Sequence, residues 1–230
     1  MAEKKKLEPI IEVDGKKYER IPVATHMIHI KEPYFPLLEK YVLPKTKKGD
    51  WLALSERVIA YSQGRVVHES VVKPSWLAKI IVKGVTKFPD DLGFSHPRKM
   101  QVAIMQAGTA RIIFASIVGA ITRLFGRRGD FYRIAGNNIA QIDGFNPPTM
   151  APYNEFAKLA PEDPDGFCQQ IEEKYGLPSI IVDANNIDCE VLGFSKGFPI
   201  TKEIARKILL DNPLGQSNEL TPIVIVREAK

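Results

Sequence analysis

A chain of 230 residues, 44% hydrophobic and 26% charged, has ordinary globular composition; this excludes a fibre and a disordered chain. Its two cysteines, Cys168 and Cys189, are too few for a disulfide scaffold or a four-cysteine zinc site, and two scattered thiols suit a reducing compartment at least as well as a single bridge. The net charge of +5 is uneven: residues 1–72 carry 13 basic and 10 acidic groups, residues 73–128 carry 10 and 2, and residues 129–230 carry 9 and 15.

The opening MAEKKKLEPIIEV is charged and lacks the apolar core of a secretory signal. The longest apolar stretch, between Arg111 and Arg123, falls far short of the ~20 residues of a membrane span. A cytoplasmic protein with no membrane partner is expected.

In chain order, Ile10–Ile21 reads as a hairpin about Asp14-Gly15, because Asp-Gly tolerates the positive φ angles of a tight turn. The alternation continues through Pro22–Ile30, which extends the expected strand. Pro33–Leu43 reads as a short helix closed by Pro44, Trp51–Leu54 as a strand, and Glu56–Tyr61 as a helix capped by Ser55. Pro74–Gly84 has helical spacing and Phe88–Pro97 is a loop. Pro97–Gly126 carries the longest helical pattern, with a break expected near Gly108. Its small residues Ala115, Ser116, Gly119 and Ala120 suit internal helix packing better than a dimer contact.

Beyond it, Phe131–Ala135 reads as a strand, and Gly144–Asn154, with three prolines, as irregular chain. Asp165–Tyr175 is a helix, and Ser179–Val182 a strand that stops at Asp183. Glu190–Leu192 is a short strand, Thr201–Leu210 a helix capped by Thr201, and Pro222–Arg227 a final buried strand. The class is α+β, with local hairpins and no regular β-α alternation.

No phosphate loop, dinucleotide fingerprint, nucleophile elbow or zincin motif is present. The histidines are scattered, and His26 and His29, three apart on an expected strand, would face opposite ways. The acids are better placed. Asp143 precedes Gly144-Phe145-Asn146, and Asp183 ends a buried strand and opens DANNID with Asn185. A rigid strand end followed by an open loop suits hard oxygen ligands for Mg²⁺ or Mn²⁺, although Asp and Asn equally favour the turns of such loops. Gly64-Arg65 and the GFSKG stretch with Lys196 offer backbone amides and a cation to a phosphate. The cations of residues 73–128 lie on or beside apolar helices without interleaved exposed aromatics, so nucleic acid is a disfavoured partner.

The order of these motifs resembles the coenzyme F-420-0:gamma-glutamyl ligase family. GDWLALSERVIAYSQGR, Gly49 to Arg65, is similar to the family's GD-strand-helix segment ending in EGR, with Gln63 for the acid and Ala60 for a serine. IDGFN, Ile142 to Asn146, followed by LAPEDPD, resembles AGIDxSN followed by LLPEDPD, with Phe145 for the serine. Ile180–Asp183 resembles the strand ending in Asp-Thr, with Ala184 for the threonine. The likeness spans most of residues 20–195. The basic segment 73–128 stands as a variant region within one ligase-like domain over residues 1–230.

The resemblance implies an α+β homodimer that moves the γ-phosphate of GTP, or of ATP, to a substrate carboxylate. The amine of L-glutamate then displaces phosphate to give an amide. It implies Asp143 and Asp183 as ligands of Mg²⁺ or Mn²⁺, with Asn146, Gly64, Arg65, Asn185 and Lys196 towards nucleotide or substrate. The replacements Gln63, Phe145 and Ala184 together remove three polar contacts. They leave open a non-catalytic nucleotide- or anion-binding protein on the same scaffold.

Overall fold

A computed structural model describes residues 7–85, 94–145, 151–185, 188–215 and 219–229. In chain order, β1 (Ile10–Val13) and β2 (Lys16–Val23) precede α1 (Tyr34–Leu37), β3 (Trp51–Ser55) and α2 (Glu56–Ser62). Then come β4 (Val66–His68), α3 (Trp76–Ile81), α4 (Pro97–Ala107), α5 (Thr109–Leu124), α6 (Asp130–Ala135), α7 (Asn137–Ala140) and β5 (Phe156–Lys158). The chain closes with α8 (Pro164–Tyr175), β6 (Ser179–Ala184), β7 (Cys189–Phe194), α9 (Lys202–Leu209) and β8 (Ile223–Ala229). The class is α+β, and the chain divides into two compact units: residues 1–64 with 161–230, and residues 65–160.

The first unit is built on a six-stranded sheet of order β1-β2-β8-β3-β6-β7. Only the β3–β6 pair is parallel. The period of two is plain in β3 and β8. Leu52, Leu54, Ile223 and Ile225 enter one apolar layer, with Leu37, Ile59, Cys168 and Ile171 from the helices. Trp51, Ala53, Val224 and Val226 enter the opposite layer, with Ala205, Ile208 and Leu209 of α9. A central strand buried on both faces reads as a continuous apolar run, which is why PIVIVR was legible. The hairpin turns at Asp14 (φ 51°) and Gly15 (φ 78°), as Asp-Gly predicts.

The second unit packs α3 to α7 against the two-stranded β4–β5 ladder. Its long helical pattern breaks at Gly108 (φ 84°), where α4 and α5 diverge by 119°. Of the small residues of α5, Ala115 is buried and Gly119 packs internally, where an added Cβ would stand 3.1 Å from that of Phe131 on α6, while Ala120 is exposed.

Three expectations are corrected. β2 ends at Val23 and does not run through Ile30; the amide of Thr25 bonds Leu220 O (2.9 Å) instead of continuing a hairpin ladder. His26 and His29 therefore do not point apart on a strand; their rings lie 6.3 Å from each other, and Glu32 accepts from the His29 amide (2.8 Å) and bonds the His26 ring (2.8 Å). Phe131–Ala135 is helical, not extended. Gly129 and Gly136, both at positive φ, bracket the segment, Asp130 sits in the first turn and pairs with Arg133, and these end signals override β-propensity. Most of the expected loop Phe88–Pro97 lies outside the described residues.

Candidate functional site

In the second unit β5 gathers the chemistry. Lys158 pairs with Val66 of β4 on one side and forms an isolated antiparallel bridge with Asp143 on the other. Asp143 is held there by its own amide, which donates to Lys158 O (3.0 Å), and by Ile142, buried in the apolar cluster beneath it. The Lys158 ammonium lies 3.3 Å from Asp143 Oδ2; the lysine side chain is 3% exposed and the aspartate 47%. Arg65 leads into β4: its carbonyl accepts from the Leu159 amide (2.9 Å) and its Nε donates to Ala160 O (3.1 Å). Two residues expected from sequence thus lie beside the β5 segment, Asp143 against Lys158 and Arg65 against Leu159 and Ala160, and Lys158 is added to them. A lysine flanked by apolar neighbours in FAKLA was the available signal. Asn146 lies outside the described residues.

In the first unit, Gly64 closes α2 at φ 69° with its amide on Tyr61 O (2.9 Å), and the Lys31 stem fills the space a Cβ would need. Its neighbour Gln63 holds the PEDPD segment. Nε2 donates to Glu162 O (2.9 Å) and Oε1 accepts from the Glu162 amide (2.7 Å). A carboxylate in its place accepts but cannot donate, so the glutamine is specifically suited to this clamp.

Asp183 lies within β6, not beyond it, paired across the ladder with Glu190 of β7 and exposed. Two carboxylates opposite one another on a sheet repel. Asn185 turns the chain: its amide donates to Asp188 O (2.9 Å) and its Oδ1 accepts from the Asp188 amide (2.9 Å). In GFSKG the amides offered to a phosphate are already spent. Those of Phe194, Lys196 and Gly197 donate to Asp165, Gln169 and Glu172 of α8 (2.9–3.0 Å). The Lys196 side chain is exposed.

Asp143 and Asp183 belong to different compact units. No group of three or more His, Cys, Asp or Glu side chains converges as a metal cage among the described residues. The donor chemistry nevertheless fits Mg²⁺ or Mn²⁺, which bind through one or two carboxylates plus substrate phosphates rather than an all-protein cage. Asp183 is the better suited of the two, because the ammonium beside Asp143 partly neutralises that carboxylate.

A family model described as F420-0:Gamma-glutamyl ligase matches residues 38–176, more than half of the chain, and the chain belongs to that family. The match takes in Gly64, Arg65, Asp143 and Asn146 and ends before Asp183, Asn185 and Lys196. No curated protein matches the chain.

Proposed function

We propose that the chain is an amide-forming ligase that spends GTP or ATP to join a carboxylate, F-420-0 or another, to the amine of L-glutamate or a related amino compound. The observation that supports this is the family match over residues 38–176, with the IDGFN motif inside it. A carboxylate oxygen attacks the γ-phosphorus and the nucleoside diphosphate leaves. The amine then attacks the acyl carbon, loses a proton, and phosphate departs. Carboxylate and phosphate repel until cations screen them, so electrostatic clamping dominates the barrier.

Arg65 and Lys196 are the cations assigned to that screening, and Asn146, Gly64 and Asn185 the polar and backbone groups assigned to nucleotide or substrate. Asp143 and Asp183 would hold Mg²⁺ or Mn²⁺, which would neutralise phosphate charge. The working form is a cytoplasmic homodimer, with residues 1–230 acting as one ligase-like domain.

The test is phosphate release coupled to amide formation, screened over carboxylates with GTP and ATP. Metal-dependent release that Asp183→Ala abolishes supports the ligase; release that this variant leaves intact removes Asp183 from the site. A second reading, a nucleotide- or anion-binding protein without turnover, is favoured by the structural use of Gln63 where the family carries an acid. Saturable nucleotide binding, read as a rise in Tm, with no amide from any carboxylate would select it.

A further inference from the structure

The second unit leaves one face of α5 uncovered. Ile112 and Ala115 are buried and Gly119 lies against Phe131, so one side of the helix is packed. The opposite side carries Ile113, Phe114, Ile117, Ile121 and Leu124, spaced three and four apart, and Phe125 follows. All six are exposed: Phe114 is 60% and Leu124 86% accessible. An apolar stripe running the length of a 16-residue helix is not the scatter of single surface hydrophobes that soluble proteins tolerate.

The charge of the segment that carries the stripe is of one sign, with Arg98 paired to Glu69 beyond β4 (2.7 Å). From Phe94 to Gly129 the chain holds Arg98, Lys99, Arg111, Arg123, Arg127 and Arg128, and no Asp or Glu. Arg111 and Arg123 stand on the two flanks of the stripe, about 110–130° from its centre at 100° per residue, with Arg111 Nε donating to Ile134 O of α6 (2.7 Å). Arg127 and Arg128 follow its C-terminal end. The next acid, Asp130, is buried and already paired with Arg127 and Arg133.

A second amphipathic surface repeats the pattern. On α3 and the turn that extends it, Trp76, Lys79, Ile80 and Lys83 share one exposed face, with Trp76 73% accessible. Arg123 reaches the Gly84 carbonyl (3.5 Å), so the C-terminal ends of these two elements lie together.

Among the described residues no single helix is long and apolar enough to cross a bilayer, and only the bent α4–α5 pair has the combined length and composition. From the uncovered stripe, its cationic rim and the Trp76 face, we infer that this unit lies on an anionic phospholipid surface. Leu, Ile and Phe side chains of α5 enter the acyl boundary, Trp76 sits at headgroup level, and the lysines and arginines face the phosphates. Charge selects this occupant over a second copy. Two-fold pairing of the stripe would bring its arginine rims together with no acid between residues 94 and 129 to answer them. The expectation of no membrane partner, made from the length of the longest apolar stretch, addressed spanning and not surface binding, and the expectation that residues 73–128 lack exposed aromatics among their cations is corrected by Trp76, Phe114 and Phe125.

The experiment is co-sedimentation of the full chain with vesicles of phosphatidylcholine alone and of phosphatidylcholine containing phosphatidylglycerol. The chain pellets with the anionic vesicles, and the bound fraction falls as salt is raised. Ile117→Asp and the pair Lys79→Glu, Lys83→Glu each weaken partitioning on the order of tenfold or more. These side chains are exposed, so the unfolding transition of each variant stays at the wild-type position. Failure of the wild-type chain to pellet, equal binding to neutral vesicles, or undiminished binding by Ile117→Asp would overturn the inference. So would a lipid-free dimer that Ile117→Asp converts to monomer, because the stripe would then belong to a second copy.

Discussion

Lys158 and Asp143 are joined twice: the Asp143 amide donates to the Lys158 carbonyl, and the Lys158 ammonium lies 3.3 Å from the Asp143 carboxylate. The carboxylate proposed as a metal ligand is therefore also a counter-charge of a buried lysine. Any variant at Asp143 changes two things at once, the site and the support of β5.

Asp143→Asn keeps the side-chain shape and removes the charge facing Lys158. The expected loss is about 1–3 kcal/mol, below the value for a fully buried pair because Asp143 is half exposed. Asp183→Asn, exposed on β6, changes stability by no more than about 0.5 kcal/mol. Adding Lys158→Met to Asp143→Asn recovers part of the loss, since it removes the buried ammonium that faced the lost charge. Urea unfolding of the four proteins of the cycle measures the coupling. Equal stabilities for Asp143→Asn and Asp183→Asn would show that the pair does not support the fold.

The clamp from Gln63 to Glu162 gives a second prediction. Gln63→Glu restores the family's acid but loses the donor and sets a carboxylate against the Glu162 carbonyl. The contact is exposed, so the cost is about 0.5–1.5 kcal/mol. It is also local. Amide exchange at Glu162 quickens while that at Ile181, in the centre of the sheet, follows only the global change. Unchanged protection at Glu162 would mean that the clamp adds nothing to the order of the PEDPD segment.

These two contacts mark the limit of what could be read from the sequence. The Asp-Gly hairpin, the break at Gly108, the Thr201 cap and the buried final strand were legible because each rests on a local rule of backbone or period. Phe131–Ala135 was misread because β-propensity was weighed without its bracketing glycines. The pairing of Lys158 with Asp143 spans 15 residues, and that of Gln63 with Glu162 spans 99; no window of local pattern contains either. That Asp143 and Arg65 both lie beside β5 could not be read from the sequence, because β5 is a three-residue strand with no strong signal of its own.

The cysteines test the interior of the first unit. Both are free and buried, Cys168 on α8 and Cys189 on β7. Burial pushes the Cys168 thiol up to about 12, outweighing the hydrogen bond with Ser179 that lowers it. Burial likewise pushes Cys189 up to about 12, against the lowering effect of Arg206. The folded chain therefore keeps both protons where the unfolded chain, with thiols near ~8.5, has lost them. Their contribution to stability is complete below the unfolded value and falls away as pH rises from there towards 12. Iodoacetamide at pH 8 leaves the native chain unmodified and labels both thiols in denaturant, counted by intact mass. Rapid labelling of either in the native state would contradict the burial.

Tyr34 supplies the last prediction, and its sign is the reverse of most core substitutions. The ring is buried beneath the sheet and meets Phe167 edge-on at 5.6 Å. Its hydroxyl is buried with no hydrogen-bond partner among the described residues, and burial holds its pKa well above the ordinary tyrosine value. A buried polar group without a partner keeps its desolvation cost, and removing the group returns that cost while leaving the ring in place. Tyr34→Phe is expected to leave stability unchanged or raise it by about 1 kcal/mol, whereas Tyr34→Ala, which empties the ring volume, costs about 3–5 kcal/mol. Thermal unfolding of the two variants separates the contributions. A loss of more than about 1 kcal/mol in Tyr34→Phe would mean that the hydroxyl is satisfied in the folded protein and that the apolar layer beneath β3 and β8 contains a polar contact.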